Sequence, residues 1–189
     1  MNFALIYRVV NAFLACLSTQ QKSFFHILLP NTDTELYTEV QIHHYEAPPG
    51  YCFDILCQDD PIMDNPQLHD FNKDLMIQNF IKVVKEDFEY FKEGPAKKHL
   101  IYAMGSDFQY QNANQNFKNM DKLIKYVNEL TAETGIEALY STPTCYLKGI
   151  YDDFVAEYPD YEWATKDDDF FPYASAEHAY WTGYFTSRY

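Results

Sequence analysis

The acidic residue best placed for chemistry is Asp107. It follows an apolar run, His99 to Met104, and the pair Gly105-Ser106, and Met104, Phe108 and Tyr110 flank it. Apolar and aromatic neighbours desolvate a carboxylate and favour the protonated form that a general acid needs. The amide-rich stretch that follows, Gln109 to Asn114, is suited to holding sugar hydroxyls through neutral hydrogen bonds. A second role stays open on pattern alone: Asp107 as the residue that fixes the turn or caps a helix beginning near Ala113.

Other acid and metal candidates are weaker. His43 and His44 are adjacent, and neighbours on an extended stretch point to opposite faces, so they rarely share one ion. Asp59-Asp60 and Asp167 to Asp169 are charge runs of the kind found on solvated loops. No G-x-S-x-G elbow, P-loop or G-x-G-x-x-G occurs, which removes hydrolase-elbow and nucleotide readings. The four cysteines, Cys16, Cys52, Cys57 and Cys145, lack zinc-finger spacing. Cys52 and Cys57 suit either a local disulfide across a turn or two buried thiols.

A buried strand must carry Asp107, and helices must cover that strand. Ile77, Phe80, Ile81, Val84, Phe88 and Phe91 recur at spacings of three and four, which predicts a helix within 70–92 that Gly94-Pro95 ends. His99 to Met104 reads as a buried strand. A second helix carries Phe117, Met120, Ile124, Val127 and Leu130 on one stripe and closes at Gly135. Ile136 to Tyr140 is again strand-like, and Thr142-Pro143 opens a third helix with Leu147, Ile150 and Phe154 on its stripe. The alternation predicts an α/β fold, an incomplete β/α barrel-like parallel sheet with crossover helices. In such sheets functional side chains gather just past the carboxyl ends of strands. Asp107 falls there, and Ser141 and Thr142 fall there after the next strand. The tail reads as a loop leading into a helix near Tyr180.

Composition sets further bounds. The 189 residues are enough for one domain with a core. A formal charge of −14, with scattered Lys and Arg, excludes nucleic acid as a partner. The apolar stretch from Val9 to Leu17 fits a signal peptide or a buried helix and is too short to span a bilayer, so no membrane segment is expected. Tyr, Phe and Trp make up 18% of the chain; most such rings fill cores, and some suit the apolar face of a pyranose.

Four ordered blocks resemble the lysosomal-type α-mannosidases of glycoside hydrolase family 38. They are APPGYCFDILC (Ala47 to Cys57), MGSDFQYQNANQNFKNMDKLIKYVN (Met104 to Asn128), LYSTPTCYL (Leu139 to Leu147) and DDFFPYASAEHAYWTGYFTSR (Asp168 to Arg188). The resemblance spans 36–188 and leaves residues 1–35 unassigned. It implies a retaining exo-α-mannosidase that releases terminal α-mannose from N-glycans, with one carboxylate as nucleophile and one as acid/base. It implies a zinc ion held by two histidines and two aspartates. By resemblance, Asp107 is the acid/base, Tyr45 reaches toward the bound sugar, Cys52 pairs with Cys57, and Cys145 is unpaired. A lysosomal or secretory location is implied as well.

The chain departs from the family in one respect. The H-x-D zinc motif, the nucleophile block and the H-H-D segment do not occur, so none of the four zinc ligands is in this sequence. The reading is therefore of a partial chain, from the carboxyl-terminal part of the catalytic domain, which needs the rest of the mannosidase and is inactive alone. The alternative is a non-catalytic, glycan-binding or scaffold descendant of the same fold.

Overall fold

The computed structural model describes residues 4–9, 24–28, 35–39, 43, 45–92, 94, 97–166, 173–183 and 186. In chain order its elements are β1 (Ala4–Val9), β2 (Phe24–Leu28), β3 (Glu35–Glu39), α1 (Lys73–Phe91), β4 (His99–Ala103), α2 (Ala113–Glu129), α3 (Thr131–Thr134), β5 (Ile136–Ser141), α4 (Pro143–Glu157), β6 (Thr165–Lys166), β7 (Tyr173–Ala176) and β8 (Ala179–Trp181). No helix among the described residues is long and apolar enough to cross a membrane.

Periodicity places the three long helices and the two strands between them. The α1 stripe buries Ile77, Phe80, Ile81, Val84 and Phe91. Leu100, Tyr102 and Met104 are buried along β4 and its extension, and His99 is buried beside them. The face with Leu100 and Tyr102 is fully covered, while Ile101 and Ala103 on the other are half-buried. Helix α2 buries Met120, Leu123 and Val127. Its end comes through the single turn of α3, and Gly135 then turns left-handed at φ 72°. Thr142 caps α4 by accepting the N–H of Cys145 at 3.3 Å, with Pro143 at the first turn.

The sheet differs from the expected one. β4 and β5 run parallel, but β1 lies between them and is antiparallel to both, Ile6 standing opposite Ile101 on one side and Leu139 on the other. Alternating helix and strand marked β4 and β5; β1 is a short apolar run at the amino end, a pattern that targeting segments share. Of the stretch Val9 to Leu17, only Val9 lies within the described residues. β2 pairs with β3 antiparallel and with β6 parallel.

The tail is also corrected. Residues near Tyr180 form a hairpin, β7 with β8, rather than a helix. His178 takes φ 60°, the left-handed conformation a two-residue turn needs, and that turn brings the small and aromatic residues of both strands into register.

Side chains close what the short sheet leaves open. Asn128 of α2 donates to the carbonyl of Ala138 at 2.9 Å and accepts its N–H at 2.7 Å, so this edge of β5 is satisfied without another strand. His99 shares a 2.8 Å hydrogen bond with Asp153 of α4, its ring lying over Gly149. Asn119, Lys122 and Tyr126 on α2 grip the segment 62–64. Asn119 accepts the Ile62 N–H, Lys122 donates to the Ile62 carbonyl and to Asp64, and Tyr126 donates to Asp64, each at 2.8 Å.

That grip carries a pH signature. Hydrogen bonds from Lys122 and then Tyr126 hold the Asp64 carboxyl down at about 2. A folded value below the unfolded one stabilises above about pH 4, and the contribution is lost as pH falls toward 2. Asp64 is partly solvated, so the contribution is under about 1 kcal/mol. Asp64→Asn is expected to raise the midpoint of acid unfolding and flatten its lower limb, with stability at pH 7 changing by about that amount.

Candidate active site

Past the end of β4 the chain turns sharply. Met104 is buried, and after it Gly105, Ser106 and Asp107 lead out of the core. Phe108 and Tyr110 both have positive φ, 63° and 68°, a strained choice for aromatic residues that the surroundings must hold in place. A Cβ on Gly105 would stand 2.8 Å from the Tyr110 ring, so the fold needs glycine here. The Tyr110 hydroxyl donates back to the Met104 carbonyl, and burial pushes that phenol up to about 12, so it stays a donor.

Asp54 holds the turn from outside. It is 2% exposed and accepts the Tyr110 N–H at 2.7 Å, the Leu56 N–H at 3.1 Å and the Asn116 side-chain amide at 3.2 Å. Burial raises the Asp54 carboxyl, but the hydrogen bonds from Tyr110, Leu56 and Asn116 more than offset it, and the group is held below the usual carboxylate range. Cys52 and Cys57 are joined in a disulfide, with Cα atoms 6.2 Å apart. Asp59, expected on a solvated loop, accepts the Cys52 N–H at 2.9 Å and fixes this ring. Phe53 buries its ring at φ 51°, anchoring the loop in the core. Cys145 is exposed and has no disulfide partner among the described residues.

The turn presents Asp107 to solvent. Asp107 is exposed and the Phe108 ring is 83% exposed. The desolvation expected from neighbours is therefore not supplied by them, because the left-handed residues lift the pair off the core. Nor is Asp107 a helix cap: that position belongs to Asn112. Of the amides expected to meet sugar hydroxyls, Gln109 is turned inward and donates to the Cys52 sulfur at 3.2 Å, whereas Gln111, Asn112 and Asn114 are exposed.

A second segment meets the turn. Ser106 donates to Glu46 at 3.4 Å, which sets Tyr45-Glu46 beside Ser106-Asp107. Tyr45 is 42% exposed. His43 is hydrogen-bonded to Asp87 at 2.8 Å, and the Tyr102 hydroxyl donates to the same carboxylate. His44 and Asp167 to Asp169 lie outside the described residues. A row of rings, Tyr110, Phe117 and Tyr140, crosses toward the end of β5, where the Tyr140 hydroxyl donates to Asp121 at 2.8 Å. Of the two residues expected at that strand end, Thr142 is spent as the α4 cap.

Asp54 and Glu46 are the functional candidates that sequence reasoning passed over. The signal for Asp54 was a single acid within the apolar run Tyr51 to Leu56; Glu46 had none beyond its place next to Tyr45. Among the described residues no three His, Cys, Asp or Glu side chains converge in an arrangement that could hold a metal ion.

Acidic and aromatic side chains, Asp107, Tyr110 and Tyr140 among them, gather toward the carboxyl ends of β4 and β5, with helices packed behind these strands. The chain belongs to glycosyl hydrolase family 38, whose N-terminal domain matches residues 20–176. That match is to the N-terminal domain, where the resemblance had suggested a carboxyl-terminal part of the catalytic domain. Lysosomal α-mannosidase of Mus musculus is 41% identical over 155 residues, and that of Homo sapiens 40%. An α-mannosidase of Arabidopsis thaliana is 39% identical over 157 residues. These alignments cover 82–83% of this chain and 14% of each relative, so the chain spans about one seventh of their length.

Proposed function

We propose that this chain is the acid/base segment of a retaining exo-α-mannosidase acting on terminal α-mannose of N-glycans, in a lysosomal or secretory compartment. The observation that carries the reading is Asp107: an exposed carboxylate on a turn fixed by Asp54, Tyr110 and Gly105 just past β4. Asp107 protonates the departing glycosidic oxygen and afterwards takes a proton from the attacking water. Tyr45 contacts the sugar from the neighbouring segment. The nucleophile, the zinc ligands and the wall that desolvates Asp107 come from other parts of the complete protein. The zinc implied by the family resemblance supplies Lewis-acid contact to sugar hydroxyls when bound.

The complete protein is expected to hydrolyse methylumbelliferyl α-mannoside, to release α-mannose as the first product by proton NMR, and to stop when the metal is stripped. Release of β-mannose, or calorimetric mannose binding with no turnover, would overturn the reading; the second outcome would favour a glycan-binding descendant.

A further inference from the structure

Asp54 has no place in the reaction itself, yet it joins three parts of the support under Asp107: the Tyr110 backbone, its own loop at Leu56 and Asn116 of α2. It sits within the ring closed by Cys52 and Cys57, on a loop that the buried Phe53 ties to the core. Its Oδ2 takes the Tyr110 N–H at 2.7 Å, at a residue in a left-handed conformation. Its Oδ1 takes the Leu56 N–H, so the carboxylate bridges two loops that lie far apart in sequence. Asn116 reaches it from the first turns of α2 and is 3% exposed. The other half of that amide, Oδ1, has no partner among the described residues. A buried acceptor left unsatisfied is costly, so the Asp54 contact is what fixes the orientation of Asn116. Gln109 adds a further tie from the turn to the disulfide sulfurs.

We infer that Asp54 is a positioning residue that sets Asp107 against the glycosidic oxygen, clamping the 105–110 turn to the disulfide-closed loop and to α2. The inference rests on Asp107 being the acid/base. A left-handed, aromatic-rich turn does not hold its shape unaided; the clamp selects one conformation out of several. Loss of the clamp leaves the carboxylic acid present but misplaced, and misplacement of about 1 Å costs on the order of 10²-fold in rate.

Leaving groups distinguish a misplaced acid from a damaged fold. Methylumbelliferyl α-mannoside needs its departing oxygen protonated, whereas dinitrophenyl α-mannoside departs without help. In the complete protein, Asp54→Asn is expected to lower kcat/KM about 10²-fold for the first and within about threefold for the second. Asn116→Ala, which removes one of the three ties and leaves both backbone donors, is expected to show the same selectivity with a smaller loss, and it stands in if Asp54→Asn does not fold. Equal losses on both substrates, from whichever variant folds, would mean that Asp54 supports the fold alone and would overturn the inference. Asp107→Asn, run alongside, separates the two claims. If it is selective and the Asp54 and Asn116 variants are not, the acid/base assignment stands and the clamp fails. If Asp107→Asn is itself unselective, the assignment fails and the clamp falls with it.

Discussion

Asp107→Asn is expected to lower kcat/KM of the complete protein for methylumbelliferyl α-mannoside by about 10²–10⁴-fold, while kcat/KM for dinitrophenyl α-mannoside stays nearly unchanged and only its kcat falls. The substitution keeps the shape of the side chain and removes only the transferable proton. Asp107 is exposed, so the change leaves the packing of β4, α1 and α2 untouched and folding is unaffected. Turnover of the activated substrate should then stall at the second step, where the same carboxylate activates water, and a small anionic nucleophile such as azide should relieve the stall. Undiminished cleavage of the methylumbelliferyl substrate would show that the proton comes from elsewhere. Glu46, the carboxylate that Ser106 contacts, would be the next residue to replace.

How much of this site was visible in the sequence depends on the range of the forces involved. The position of Asp107 after a buried strand followed from an apolar run ending at Gly105-Ser106, and the strand is there. The helix stripes were legible because burial on one face imposes a period of 3.6; α1 and the start of α4 stand close to their breaker and cap, whereas α2 stops at Glu129, short of Gly135. What sequence could not show was direction. Whether Asp107 is desolvated depends on the φ values of Phe108 and Tyr110, and nothing in the residue types announced that two aromatic residues would adopt the left-handed region. The bridge from Asp54 to Tyr110 and Asn116 joins residues some 60 positions apart, beyond the reach of any local pattern. The same limit hid β1, which reaches its partners 91 or more residues along the chain. The Cys52–Cys57 pairing was suggested by a short spacing but needed the family resemblance to choose it over two thiols.

The largest effect on stability is expected at Phe80. It is fully buried in the middle of α1, with the Tyr51 ring 4.8 Å away and the Tyr102 ring 6.1 Å away, both edge-on. Phe80 therefore sits where α1, β4 and the loop before Cys52 meet, and no single element can shift to fill the space it occupies. Phe80→Ala removes a whole ring and leaves a cavity whose walls are held by other bonds: the Tyr51 hydroxyl to the Met76 carbonyl at 2.8 Å, and Tyr102 to Asp87. Those tethers keep the neighbouring rings from collapsing inward, which puts the loss toward the upper part of the usual range of about 3–5 kcal/mol. Amide hydrogen exchange along α1 and β4 of the complete protein reports this locally, as protection lost by that amount in both elements together. Phe80→Leu, which refills most of the volume, should cost under about 1.5 kcal/mol. The two variants also bear on the site, since β4 carries Asp107 at its end: Phe80→Ala should loosen the 105–110 turn along with the strand, and exchange there should rise in step. Protection that falls in α1 but holds in β4 would show that the strand draws its stability from β1 and α4 instead.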